Sequence, residues 1–231
     1  QRGYGTSWCL DSVRHRGAPI SKGGTATGVM HPAEDIVNSM KKVTQGDSRR
    51  GSIGQYINVL HPDFDELCDQ IRSDHDGWNV GWILTEEFKN LFRTDRDRAD
   101  YIWKRILSTK MITGKGYLLF LDKVNAARPK MYKDRDLYVK HSNLCAEIAL
   151  FNDKDHTFTC VLSSMNITKY DEWKNTKAVQ IAAILLDAVI SDMLIKAKKE
   201  IGFEKVVAFT EKSRAIGLGM LGLSTYYQMQ N

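Results

Sequence analysis

An α/β fold is the class this sequence predicts. Stretches that read as strands alternate with stretches at helical spacing, which points to strands joined by helices. The composition is that of an ordinary globular protein: 231 residues, 42% hydrophobic and 26% charged, enough for one large domain or two small ones. No repeat, linker or low-complexity tract interrupts the chain, so one domain, or part of one, is the simplest organisation.

The elements follow in order. "RGYGTSW" and "RGAPISKGGTATG" are rich in glycine and small residues and read as loops with short strands. "HPAEDIVNSMKKV", His31 to Val43, has Pro near its start and acids in its first turn, as a helix requires. "TQGDSRRGSIG" is a polar loop, "QYINVL" a strand, "PDFDELCDQIRS" a helix and "WNVGWIL" a strand. "ADYIWKRILSTKM" repeats its apolar residues at helical spacing, and "GYLLFLDKV" reads as a strand. "NLCAEIALFNDKDHTFTCVLSSMNI" reads as two extended runs around the turn-forming "NDKD", a fold-back that would bring Cys145 near Cys160. The longest helix is expected from about 171 to 200, "KVVAF" as a strand, and "RAIGLGMLGLSTYYQMQ" as a loop leading into a helix.

Charge and cysteine usage narrow the function classes. The net charge of +5 suits an anionic ligand such as a nucleotide without demanding nucleic acid. An RNA-binding α/β protein would show aromatic-rich exposed strands, a signature this sequence lacks. Cys9, Cys68, Cys145 and Cys160 form no C-x-x-C pair and the six histidines no ligand-like cluster, so no metal is expected. The sequence opens on Gln1 without a secretory signal and reads as cytoplasmic and reducing. The most apolar window, Ala178 to Ile195, is interrupted by Asp187 and Asp192. Each charge at a bilayer centre costs about 2.5–3.5 kcal/mol, so a core helix is expected rather than a membrane span.

Three glycine-bearing motifs have bland readings beside sharper ones. "GLGMLG", Gly217 to Gly222, matches G-x-G-x-x-G but is not followed by the strand and acid of a dinucleotide fold; close backbone packing is the expected reason for its glycines. "GGTATG" lacks the Lys-Ser/Thr ending of a P-loop and reads as a tight loop. "GDSRRGS" places Arg49 and Arg50 beside glycines, either as a solvated turn or as planar groups for phosphate or base edges.

"HSNLCAEIAL", His141 to Leu150, carries Asn143, Cys145 and Glu147 at steps of two. Were this segment extended, all three would share one face, about 7 Å apart, with Leu144, Ala146 and Ile148 packing on the other. An amide, a thiol and a base would then stand together; the bland alternative is a half-buried strand with an inert cysteine.

"SNLCAEI" followed by the second cysteine of "TCVLSSMN" resembles the catalytic core of the ribonucleotide reductase large subunit. Other segments agree in order. "RGYGTSW…VRHRGAPISKGG" resembles the first allosteric loop, and "TQGDSRRGSIGQYINVLHPDFDEL" the second with its following strand. "TGKGYLLFLDKVN" resembles the strand before the active-site cysteine, and "RAIGLGMLGL" the glycine-rich segment after the long helix. The resemblance runs from Gln1 to Asn231 and implies part of a ten-stranded α/β barrel with the radical cysteine on a loop inside it. Residues 1–231 would form a partial catalytic barrel domain. Its specificity loops would lie at about 1–55, its radical and redox cysteine segment at about 140–166, and its long helix at about 171–200.

The resemblance implies roles residue by residue. Cys145 would become a thiyl radical and take the ribose 3′ hydrogen. Glu147 would accept the 3′ hydroxyl proton, Asn143 would orient the substrate, and Cys160 would be half of a redox pair. Gly3, Leu144 and Arg50 would also line the substrate site. Arg14, Lys22, Gln45 and Arg49 would serve the deoxynucleoside triphosphate or ATP effector. "SNLCAEI" resembles class I, whose radical comes from a separate small metallo-subunit; "RRGSIGQYINVLHPDFDEL" also resembles the class II enzymes that use adenosylcobalamin. Implied partners are a ribonucleoside diphosphate, the small subunit, a second large subunit, thioredoxin or glutaredoxin as reductant, and other fragments if the enzyme is split. Membrane and nucleic acid are not expected partners. The partner of Cys160 is expected upstream of Gln1 and the substrate-diphosphate segment after Asn231. Cys9 and Cys68 match no family position, and Tyr226 and Tyr227 read as structural. A non-catalytic nucleotide-binding fragment is the alternative.

Overall fold

The structure is a computed structural model describing residues 5–42, 44–45 and 49–230, with residues 44, 45, 49 and 50 described for their backbone alone. It divides into two compact units, 1–150 and 151–231.

The first unit is built on parallel strands. β1 (Gly5–Cys9) leads through a one-turn helix, Leu10–Ser12, and a long loop to α1 (Met30–Lys42). A two-residue ribbon, β2 (Thr44–Gln45) against β3 (Arg49–Arg50), precedes β4 (Ser52–Asn58). Then follow α2 (Phe64–Ser73), β5 (Asn79–Leu84), α3 (Glu86–Thr94), α4 (Arg96–Thr113), β6 (Tyr117–Phe120), α5 (Leu121–Ala126) and α6 (Lys130–Lys133). The sheet order is β1-β4-β5-β6, every pair parallel. β4 and β5 are buried almost throughout, as expected of parallel strands covered on both faces.

Strand alternation sorts the two faces. Ile57, Val80, Trp82 and Leu84 join Val37, Leu67, Ile71, Phe88 and Ile106 in the main core on the helical side. Gln55, fully buried on that side, accepts from Trp8 Nε1 at 3.4 Å and donates to the Ala33 carbonyl at 3.5 Å. Tyr56, Ile83 and Leu119 form a smaller cluster on the opposite face, with Cys9 and Ala146 packed against it.

The second unit contains β7 (Leu162–Asn166), a one-turn helix Ile167–Lys169, α7 (Tyr170–Trp173), α8 (Ala178–Ala197), α9 (Glu204–Ser213), β8 (Gly217–Leu221) and α10 (Leu223–Met229). β7 and β8 are a parallel pair. The strand–helix alternation is thus present in both units.

Several expectations are corrected. "KVVAF" is not a strand but the body of α9: Phe209 is fully buried against Phe151, ring centroids 5.0 Å apart, and this packing overrides the β-branched valines. "GLGML" is a strand rather than a loop, because missing Cβ atoms let it lie beside β7. A Cβ at Gly217 would sit 3.3 Å from Leu162, and one at Gly219 3.3 Å from Ser164. "GYLLFLDKV" is a strand only to Phe120 and then turns helical. α3 has no counterpart in the sequence reading; its signal is Thr85, whose hydroxyl accepts from Phe88 N, while the Asp122 carboxylate accepts from Glu86 N. The long helix is two, α7 and α8, separated where the Thr176 hydroxyl accepts from Ala178 N. α8 is long and apolar enough to cross a membrane, with mean hydropathy 2.0. It buries one stripe, Leu186, Ile190, Leu194 and Ala197, while Ile181, Ile184 and Leu185 are exposed, so it is less enclosed than the expected core helix.

Candidate active site

The segment that carries Asn143, Cys145 and Glu147 is not a strand. Residues 143–148 form a closed turn stapled by Asn143. Its side-chain oxygen accepts from the backbone N–H groups of Glu147 and Ile148, both at 3.1 Å. Its amide nitrogen donates to Glu147 Oε1 at 2.8 Å. Its carbonyl accepts from Ala146 N at 3.1 Å. Ala146 closes the turn with φ +65, a left-handed conformation costing about 1–2 kcal/mol outside glycine, and its methyl packs on the small cluster. The period-two geometry therefore fails because the Asn143 side chain competes for the backbone N–H groups that a strand would pair elsewhere. The chemistry-bearing residues still come together: Asn143 holds the Glu147 carboxylate, and Cys145 stands exposed at the tip between them.

The sheet is shaped to receive this turn. Leu144, half-buried, lies over two strands that carry glycine beneath it. A Cβ at Gly5 of β1 would meet Leu144 Cδ2 at 2.8 Å, and one at Gly54 of β4 would meet Leu144 Cα at 3.0 Å. Beside Gly54, Tyr56 donates its hydroxyl to the Asn143 carbonyl at 2.6 Å and stacks on His141 at 5.7 Å. Burial pushes the Tyr56 phenol up to about 12, so it remains a donor at neutral pH. Burial lowers His141. The turn also approaches through Ser142, whose hydroxyl donates to the Ile148 carbonyl at 2.7 Å. The Cys145 turn thus sits on the sheet face opposite the main core, where Leu121 and Val124 of α5 also pack.

Cys9 and Cys68 differ in character. Burial pushes both thiols up to about 12, which keeps them protonated and unreactive. Cys160 is exposed, just before β7, after the turn in which Asp153 Oδ1 accepts from the N–H groups of Asp155 and His156; the "NDKD" turn is where the sequence placed it. Cys145 and Cys160 belong to different units.

The loop of residues 16–29 is gathered at its base by one carboxylate. Asp63, 5% exposed, accepts from Arg16 N at 3.0 Å and from Val29 N at 3.0 Å. A Cβ at Gly28 would lie 2.7 Å from its Oδ2. Inside the loop, Pro19 bridges Thr25, and Gly23 and Gly24 take positive φ, giving a tight hairpin that carries exposed Lys22; Arg14 is exposed just before it. Asp63→Asn should lower stability by about 1–3 kcal/mol, because the Arg16 and Val29 N–H groups lose their charged acceptor and the new amide NH2 would face the Arg16 N–H, donor against donor. Urea unfolding checks this; a midpoint equal to the parent's would contradict the clamp. Gly3 lies outside the described residues, and of Gln45, Arg49 and Arg50 only the backbone ribbon is described. Tyr56, Gly54, Ser142 and Asp63 were not read as site residues from sequence; the one available signal was Gly54 and Tyr56 alternating on one strand face.

The profile of the ribonucleotide reductase barrel domain matches residues 1–97 and 81–231. The chain belongs to the ribonucleotide reductase barrel-domain family. A putative ribonucleoside-diphosphate reductase large subunit from Frog virus 3 is 31% identical over 98% of the chain. The class Id ribonucleotide reductase alpha subunit of Actinobacillus ureae superposes with a TM-score of 0.88 at 32% identity, again over 98% of the chain. A vitamin B12-dependent ribonucleoside-diphosphate reductase from Mycobacterium tuberculosis is 25% identical over 96%. The chain spans 43% of the viral relative and 42% of the Actinobacillus subunit, so its architecture is part of the α/β barrel.

Proposed function

We propose that this chain is the radical and specificity core of a class I ribonucleotide reductase, cytoplasmic and acting on ribonucleoside diphosphates to supply DNA precursors. The observation that carries the reading is the Asn143–Glu147 hydrogen bond on the closed turn that presents Cys145. A radical source in a separate small metallo-subunit would oxidise the Cys145 thiol. Cys145 then takes the ribose 3′ hydrogen while Glu147 accepts the 3′ hydroxyl proton, a transfer that needs hydrogen-bond reach. Asn143 both orients substrate and holds the Glu147 carboxylate in place. Water leaves from the 2′ carbon, and Cys160, paired with a cysteine outside this chain, supplies reducing equivalents that thioredoxin or glutaredoxin renews. The loop based on Asp63, with Arg14 and Lys22, and the ribbon with Gln45, Arg49 and Arg50 receive the nucleotide effector. Gly3, Leu144 and Arg50 complete the substrate wall.

Residues 1–231 act in this reading as one partial barrel domain, paired with a second large subunit and completed by further barrel strands from the same chain or from another fragment. Those strands would cover the exposed faces of α8, which explains an apolar helix with a single buried stripe. The deciding experiment counts deoxynucleotide formed by the native assembly containing this chain, with the small subunit or adenosylcobalamin supplied separately. Product only with the small subunit supports class I; product only with adenosylcobalamin moves the chain to class II. No product with either favours a nucleotide-binding fragment.

Glu147→Gln tests the base. The amide keeps an oxygen for the Asn143 bond but cannot accept a proton, so kcat should fall about a hundredfold or more with KM little changed. Steady-state kinetics with unchanged kcat would remove Glu147 from the role.

A further inference from the structure

We propose that Tyr56 is the positioning residue of the Cys145 turn, its hydroxyl fixing the Asn143 peptide from which the reacting groups are hung. The inference rests on the functional reading above.

The geometry is specific. Tyr56 is 1% exposed, and its ring lies across the neighbouring strand where its register partner, Gly81, has no side chain. A Cβ at Gly81 would fall on the Tyr56 ring. Held flat in this way, the ring aims its hydroxyl out of the sheet at the Asn143 carbonyl, 2.6 Å away. That carbonyl also takes Ala146 N, the bond that closes the turn around Cys145. The same residue's side chain takes Glu147 N and Ile148 N and grips the Glu147 carboxylate. One phenol therefore fixes the peptide that sets the direction of the orienting amide, the base and the thiol together. A catalytic constellation needs this support, since groups held loosely by about an ångström lose rate steeply. The ring supplies packing and the hydroxyl supplies aim, so the two contributions separate chemically.

Tyr56→Phe in the complete, radical-competent assembly makes that separation. The expected result is a fall in kcat of about tenfold, the effect of one buried hydrogen bond, with KM and effector affinity within about twofold of the parent. A second variant replaces Tyr56 by a fluorinated tyrosine, whose phenol ionises at lower pH while the packing is kept. Its kcat should fall as pH rises through that ionisation, because a phenolate cannot donate; the parent should stay flat over the same range. A structural tyrosine would not give that profile. Parent-like kcat in the folded Phe variant, or parent-like pH dependence in the fluorinated one, overturns the inference while leaving the functional reading intact. Absence of turnover in the parent assembly overturns the reading itself, and the inference with it.

Discussion

Cys145→Ser should bring deoxynucleotide formation below detection while leaving effector binding and stability unchanged. An alcohol O–H is harder to oxidise to a radical than a thiol S–H, so a serine at the tip cannot be charged by the same source. The replacement is nearly isosteric and falls on an exposed position, where substitutions usually stay within about 0.5 kcal/mol. The turn keeps its own bonds, because Asn143, Ala146, Glu147 and Ile148 close it without the Cys145 side chain. The loop of residues 16–29, proposed to receive the effector, is gathered by Asp63, whose bonds to Arg16 and Val29 do not involve the turn. The measurement pairs product counting with effector affinity. Retained turnover in the serine variant would end the thiyl-radical reading. Loss of effector binding alongside activity would mean that the variant had disturbed more than the thiol.

How much of this site could be read from sequence depends on range. The α/β alternation was legible because β4 and β5 carry long buried runs, α1 and α2 carry apolar stripes, and α2 has acids in its first turn; α1 starts at Met30, so the acids expected in its first turn fall outside that turn. The cysteine, base and amide were legible as a triplet of residue types. Their arrangement was not, because Asn143 bonds backbone groups four and five residues on, and a period-two pattern looks the same whether or not an amide intervenes. "KVVAF" was misread for a related reason: the valines favour a strand locally, but the packing of Phe209 on Phe151, remote in sequence, decides for a helix. The floor beneath the turn was least legible. Gly5, Gly54 and Gly81 lie far apart in the chain, and only strand register makes them neighbours of Leu144 and Tyr56. Asp63 reads as one more acid before a helix until Arg16 and Val29 are seen to converge on it.

Gly81→Ala should damage the fold and the site together. Glycine inside a strand is ordinarily a weakness, and alanine there would stabilise by about 0.5–1 kcal/mol through the unfolded chain. Here the sign reverses. The new methyl would occupy the space of the Tyr56 ring, and the ring has nowhere to go: Ile83 and Leu119 pack beside it, His141 stacks on it, and its hydroxyl is tied to Asn143. Overpacking of this kind costs about 1–3 kcal/mol and forces the backbone to shift. That shift would separate β4 from β5 where Tyr56 faces Gly81, so the Cys145 turn should be displaced along with the stability loss. Urea unfolding of Gly81→Ala, of Tyr56→Ala and of the double variant isolates the cause. With the ring gone, the methyl enters an open space, and alanine at 81 should become neutral or stabilising. An equal loss in both backgrounds would show that the methyl collides with something other than Tyr56, and the account of why β5 carries a glycine at this position would fall.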